Sequence, residues 1–89
     1  MDPSSVGVVH RPDRSRFEAE VDGQLAYLDY RLAGDTVVMP HTVVPHEIEG
    51  RGVARELTRT AVAWAREQSL EIDAQCSYVR GWLAEHPDA

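Results

Sequence analysis

The stretch Thr36 to Val44 is β-branched and apolar on both of its alternating faces. Met39, His41 and Val43 share one face, and Val38, Pro40, Thr42 and Val44 share the other. A strand of that kind belongs in the middle of a sheet, because neither face suits water. Pro40 cannot donate to a ladder, so it predicts a bulge or an interrupted pairing at that point. After Pro45 come a short polar loop and two glycines one residue apart, Gly50 and Gly52. Val53, Leu57, Ala61, Trp64 and Ala65 then repeat at the spacing of a buried helical stripe, which predicts a helix from Arg51 to about Ser69. Leu70 to Cys76 follows as a short strand with Leu70, Ile72 and Ala74 on one face. Strand, helix and strand in this order form a crossover, which makes the two strands parallel. Ligands of such sheets collect outside the carboxyl ends of the parallel strands. The glycine loop and the segment Cys76 to Tyr78 both fall at that edge.

The strands upstream are joined by tight turns. Arg16 to Val21 alternates Phe17, Ala19 and Val21 against Arg16, Glu18 and Glu20. Asp22-Gly23 is a two-residue hairpin signal, and Gln24 to Leu32 reads as the return strand. Leu25, Tyr27 and Asp29 face one way on it, Ala26, Leu28, Tyr30 and Leu32 the other; Gly34-Asp35 turns the chain into the central strand. At the other end, Ser77 can cap a second helix to about Glu85, with Val79, Trp82, Leu83 and His86 on its apolar side and Pro87 as its stop. The expected fold class is therefore α/β: a mixed sheet of antiparallel N-terminal strands, a β-α-β crossover and a C-terminal helix. Residues 1–15, with Pro3, Gly7 and Pro12, read as a flexible N-terminal arm from which Val6, Val8 and Val9 could add an edge strand. Residues 16–89 read as the compact domain.

Composition narrows the classes of function. Eighty-nine residues allow one domain with one modest core. A formal charge of -6 opposes non-specific nucleic-acid binding, which needs phosphate neutralisation. No apolar run approaches a membrane span, and the N-terminus lacks the basic-then-apolar profile of a signal peptide, so neither nucleic acid nor membrane is an expected partner and the expected compartment is the cytoplasm. Cys76 is the single cysteine, which excludes an internal disulfide and a multi-cysteine zinc site. His41, His46, Cys76 and His86 lack metal-ligand spacing, so no metal is expected. The chain has no lysine and no asparagine, a bias that fits a GC-rich, bacterial genome.

The glycine loop has two readings. The first N–H groups of a helix have no partner within it, and its dipole places partial positive charge there, so a Cβ-free loop can bring backbone close to a phosphate. The same residues would also serve a plain strand-to-helix connection. Arg51, Arg55 and Arg59 lie four apart along one helix face, within reach of such a phosphate or simply solvated. Glu47 and Glu49 are unfavourable beside a phosphate unless they point to solvent.

Four motifs in order carry a resemblance: His41-Thr42-x-Val44-Pro45, Gly50-Arg51-Gly52-Val53-Ala54-x-x-Leu57, Cys76-x-Tyr78 and His86-Pro87. Over roughly residues 16–88 the chain resembles the GNAT superfamily of acyl-CoA-dependent N-acetyltransferases, in its compact single-domain form. The resemblance implies acetyl-CoA as cofactor. It implies a splay between the two parallel strands for the pantetheine arm, with backbone of Val43 and Val44 along it. It implies a pyrophosphate held by Glu49, Gly50, Arg51, Gly52, Val53, Ala54 and Arg55, and a thioester near Cys76 and Tyr78. Two departures stand out: Glu47 occupies a position where the superfamily has Gln or Arg, and the Asp22-Gly23 turn replaces a helical excursion. No strand follows the last helix to wall off an acceptor.

Three side chains are candidates for the chemistry. Tyr78 is a candidate acid for the leaving thiolate, or an amphipathic packing residue. His41 is a candidate base, or a buried histidine bonded to backbone. Cys76 lines the thioester pocket, or is a small buried hydrophobe, or relays the acyl group. The expected activity is direct transfer of an acetyl group from acetyl-CoA to an unidentified amine, which a protein could carry, by a monomer or weak homodimer. The alternatives are a non-catalytic acyl-CoA-binding module and a small protein-interaction domain.

Overall fold

The computed structural model describes residues 6–89. Seven strands and two helices are arranged as two sheets that share one core. β1 (Val8–Arg11), β2 (Arg16–Val21) and β3 (Gln24–Asp29) are antiparallel neighbours, and β6 (Thr42–Val43) adds to β3 as the last strand of that sheet. β4 (Arg31–Ala33), β5 (Thr36–Met39) and β7 (Glu71–Ala74) form the second sheet, with β5 in the middle. α1 (Val53–Glu67) joins β5 and β6 to β7, and α2 (Ser77–Glu85) closes the chain. β5 and β7 are parallel, pairing Thr36 with Glu71 through Met39 with Ala74, as the crossover required.

The edge strand expected from Val8 and Val9 forms. The described part of the expected N-terminal arm is therefore ladder and 3-10 turn rather than loose chain; residues 1–5 lie outside the described residues. The Asp22-Gly23 turn forms with both residues at positive φ, 51° and 76°, which matches the right-handed twist of the flanking strands.

Two expected strands are broken in the middle. Thr36 to Val44 splits into β5 and β6 at Pro40 and His41, and Gln24 to Leu32 splits into β3 and β4 at Tyr30. Arg31 faces Val38 on one side of the break, whereas Leu28 faces Thr42 on the other. The pairing slips by one residue, so Pro40 is the extra residue of a bulge; the ladder resumes with Asp29 N–H donating to the His41 carbonyl at 3.1 Å. The bulge turns one expected mixed sheet into two.

The core lies between α1 and the sheets. Phe17, Ala19, Ala26, Leu28, Val37 and Met39 meet Val53, Leu57, Ala61 and Ala65, and Val79 of α2 joins them. α1 begins at Val53 rather than Arg51, because Gly52 at φ 76° ends the loop. Cys76, not Ser77, holds the N-cap position of α2. Trp64 is half-buried in an aromatic group: His10 stacks on Phe17 at 4.2 Å between centroids, meets Trp64 edge-on, and contacts the Tyr30 hydroxyl at 2.6 Å through Nε2. Burial pushes the His10 imidazole down and the Tyr30 phenol up.

Among the described residues, no helix covers the opposite face of the β1–β2–β3–β6 sheet. Val9, Leu25 and Val43 are exposed there. Glu18, on the polar side of the alternation, is buried under three arginines: Arg16 bonds it through Nε, and Arg11 and Arg14 each approach at 3.4 Å. The Arg16 hydrogen bond above all, helped by the charges around it, holds the Glu18 carboxyl below its ordinary value of 4.5. A carboxylate whose folded value is depressed contributes stability above the unfolded value and loses it as pH falls through the folded one. Thermal melting across an acid series is expected to fall more steeply below pH 4.5 in the native chain than in Glu18→Gln; parallel slopes would show that this carboxylate contributes nothing.

Candidate functional site

The chain leaves β6 through Val44 and Pro45 into a 3-10 turn at His46–Ile48, whose Ile48 side chain is buried and anchors the loop. Gly50 and Gly52 then take φ of 82° and 76°, values that a residue with a Cβ rarely adopts. The loop opens on a cleft of about 270 Å³ lined by Val44, Ile48, Glu49, Gly50, Gly52, Val53, Ala54, Arg55 and Tyr78. The loop, the end of β6 and the start of α2 thus meet in one place, at the carboxyl ends of the strands.

The loop suits an anion. Among the described residues, the N–H groups of Gly52, Val53, Ala54 and Arg55 have no acceptor, as expected for the first turn of a helix. A Cβ added at Gly50 would meet nothing within 4 Å, and one at Gly52 would meet only the Arg55 guanidinium, at 2.9 Å. Bare backbone, unpartnered donors and a cation folded over them are what a pyrophosphate needs.

The three arginines of equal spacing differ in their partners. Arg51 pairs with Asp22 of the β2–β3 turn, and Arg59 pairs with Glu56 at 2.7 Å. Arg55 has no ion pair among the described residues and lines the cleft. Of the two carboxylates that opposed an anion, Glu47 is exposed and does not line the cleft, whereas Glu49, 60% exposed, lines it and contacts His46 at 3.4 Å.

Beside the cleft, β6 and β7 diverge. Cys76 N–H donates to the Met39 carbonyl at 3.0 Å, which carries the parallel ladder one step past β7. The Cys76 thiol, half-buried, then meets the Thr42 hydroxyl at 3.5 Å across the gap. Burial pushes this thiol up, but the Thr42 hydroxyl and backbone groups of Val79, Tyr78 and Thr42 together outweigh it, so it lies below its ordinary value of 9.0. The thiol is thus more acidic than a core cysteine and partly accessible.

His41 is not a buried structural histidine. Its side chain is 69% exposed and its ring Nδ1 lies 3.3 Å from Asp29 Oδ2. Tyr78 is 43% exposed and lines the cleft. Of the expected site residues, Val44, Glu49, Gly50, Gly52, Val53, Ala54, Arg55 and Tyr78 converge on the cleft, while Cys76 and His41 sit at the splay on either side of Thr42 in the fold. Val43 lies on exposed β6, and Arg51 is turned toward Asp22. Thr42 and Asp29 were not among the expected catalytic or cofactor-binding residues: what a hydroxyl or a carboxylate on a strand touches shows only in the pairing. Among the described residues, no cluster of three or more His, Cys, Asp or Glu side chains could hold a metal ion, and no helix is long and apolar enough to cross a membrane.

The family model described as GCN5-related N-acetyl-transferase matches residues 16–89. Protein NATD1 of Xenopus tropicalis is 35% identical over 91 residues, covering 98% of this chain and 84% of its own. Protein NATD1 of Mus musculus is 31% identical over 85 residues, covering 92% and 77%, and that of Homo sapiens is 31% identical over 85 residues, covering 92% and 75%. These relatives are vertebrate and argue against the bacterial origin read from the missing lysines.

With one cysteine, alkylation reads the site directly. The rate of Cys76 alkylation is expected to rise with pH about a midpoint below 9.0, and Thr42→Val is expected to move that midpoint upward. An unchanged midpoint in the variant would show that the hydroxyl does not act on the thiol.

Proposed function

The chain belongs to the GCN5-related N-acetyltransferase family, and from that premise we propose that it binds acetyl-CoA and transfers the acetyl group to an amine. The observation that carries this reading is the junction of the glycine loop with the splay: unpartnered amides at Gly52 to Arg55 open on the same cleft as Tyr78, beside a thiol and an imidazole. Acetyl-CoA would supply a thioester, whose carbonyl carbon accepts the amine nitrogen.

Each residue then has a role set by its surroundings. The amides from Gly52 to Arg55 would hold the pyrophosphate, and Arg55, beside Gly52 at the cleft, would pair with its charge. Arg51 stays with Asp22 and fixes the loop against the β2–β3 turn. The edge of β6 at Val43 and Val44 offers backbone groups for the pantetheine amides to pair with. Tyr78 would give a proton to the departing sulfur, and His41 would take one from the amine. Cys76 lines the splay, held by Thr42. Direct transfer is favoured over a cysteine relay, because the Cys76 thiol is engaged by Thr42 and the helix start rather than by a base. The open sheet face beside His41 suits an amine carried on a protein.

Acetyl-CoA added to labelled protein is expected to shift the amide signals of Gly50 to Ala54 and of Val43 and Val44. Unmoved amides at saturating acetyl-CoA would overturn the reading. Arg55→Ala is expected to weaken acetyl-CoA binding about tenfold, the worth of one charge-assisted hydrogen bond, while Arg51→Ala changes it by less than about threefold. Calorimetric titration measures both.

A further inference from the structure

One carboxylate holds His41 twice. Asp29 Oδ1 accepts the His41 backbone N–H at 3.1 Å, and Oδ2 lies 3.3 Å from the ring Nδ1. The first bond is a consequence of the bulge: Pro40 displaces His41 from the ladder, and its N–H needs a new acceptor. The second acts on the ring. An ionised carboxylate can only accept, so the nitrogen facing it carries the proton and the other nitrogen of the neutral ring keeps its lone pair. With Nδ1 turned to Asp29 and the side chain 69% exposed, Nε2 is the nitrogen left open.

The neighbouring charges leave Asp29 to this task. Arg16 stands directly across the ladder from Asp29 and would be its natural partner. Its guanidinium goes instead to Glu18 and lies over the Tyr27 ring at 4.6 Å. Asp29 is 34% exposed and keeps both oxygens for His41. The pair lies on the helix-free face of the sheet, one residue from Thr42 and its contact with Cys76.

We infer that Asp29 is the positioning residue that sets the His41 tautomer, so that Nε2 serves as base toward an amine approaching over the open sheet face. The inference rests on the transferase reading. Nε2 takes one proton from the acceptor ammonium, and the freed lone pair forms the C–N bond to the acetyl carbon. The C–S bond breaks, its electron pair leaves with the sulfur, Tyr78 gives its proton to that sulfur, and Tyr78 is restored by the second proton lost from the nitrogen. The products are the amide, a free thiol and a protonated His41.

Asp29→Asn separates the two bonds of the carboxylate. The asparagine Oδ1 still accepts the His41 N–H, so the bulge is kept. Its Nδ2 group now donates toward the ring, which reverses the tautomer and places the ring proton on Nε2. Nitrogen-15 NMR of the His41 ring, without any cofactor, is expected to show Nδ1–H in the native chain and Nε2–H in Asp29→Asn. Turnover, read as thiol release from acetyl-CoA with an amine panel, is expected to fall about a hundredfold in kcat with KM for acetyl-CoA within about twofold. A native ring protonated on Nε2, or a tautomer that Asp29→Asn leaves alone, overturns the inference whatever the chain does with acetyl-CoA. A reversed tautomer with undiminished kcat overturns it as well. Loss of amide shifts on acetyl-CoA addition to the native chain would instead overturn the transferase reading.

Discussion

Pro40 has no N–H to give to a ladder, and the strand that carries it cannot hold one register with its hairpin partner. The pairing is therefore off by one residue on the two sides of the break. Much of the candidate site descends from that slip. It separates β6 from β5, so that β6 leaves the neighbourhood of β7 and a gap opens between two strands that would otherwise run on side by side. Among the described residues, it leaves the outer edge of β6 without a strand partner. It also lifts the His41 N–H out of the ladder, where the Asp29 carboxylate takes it up. A bulge of this kind persists only where the surroundings hold it. Here Met39 on one side is fully buried, and Cys76 N–H reaches across to the Met39 carbonyl at 3.0 Å.

The arginines around Glu18 bear on the site through competition. Glu18 is 7% exposed, and a buried carboxylate needs charged donors close by. Three arginines converge on it, and the one across from Asp29 is among them. The same logic governs the loop. Arg51 lies in the loop and Arg55 in the first turn of α1; Asp22 at the tip of the β2–β3 hairpin takes the first, and the second folds over Gly52. An exposed pair such as Arg51–Asp22 adds little stability. Its consequence is selection: it decides which cation remains free for the cleft.

Periodicity carried the architecture and failed where an interaction was non-local. The alternation in Arg16–Val21, the Asp22-Gly23 turn, the helical stripe from Val53 to Ala65 and the parallel strands were legible because each rests on local pattern and a chirality rule. Pro40 announced a bulge, but only the pairing of Leu28 with Thr42 shows that the bulge divides the sheet. Glu18 reads as solvent-facing by alternation and is buried because Arg11 comes from the edge strand and Arg14 from the turn before β2. The glycine loop was legible as a candidate anion site because Gly50 and Gly52 need positive φ for a backbone reason. Asp29 was not, because a single carboxylate on a strand gains meaning only from the residue that the bulge brings opposite it.

The helix-free sheet face gives these pieces a direction. Phe17, Ala19, Ala26 and Leu28 point to α1, so Tyr27 and Asp29 on β3 point the other way, and the ring of His41 is held on that side by Asp29. The glycine loop and its cleft lie instead at the end of the strands, where α1 begins. A ligand anchored by its phosphates in the cleft and extended along β6 would run toward the bulge from one direction. An amine reaching His41 would come over the open sheet from another. The two paths meet at Thr42, the residue between the imidazole and the β6 edge, whose hydroxyl also holds the Cys76 thiol. On the transferase reading, donor and acceptor would thus approach from different sides, because the bulge gives one strand two working sides.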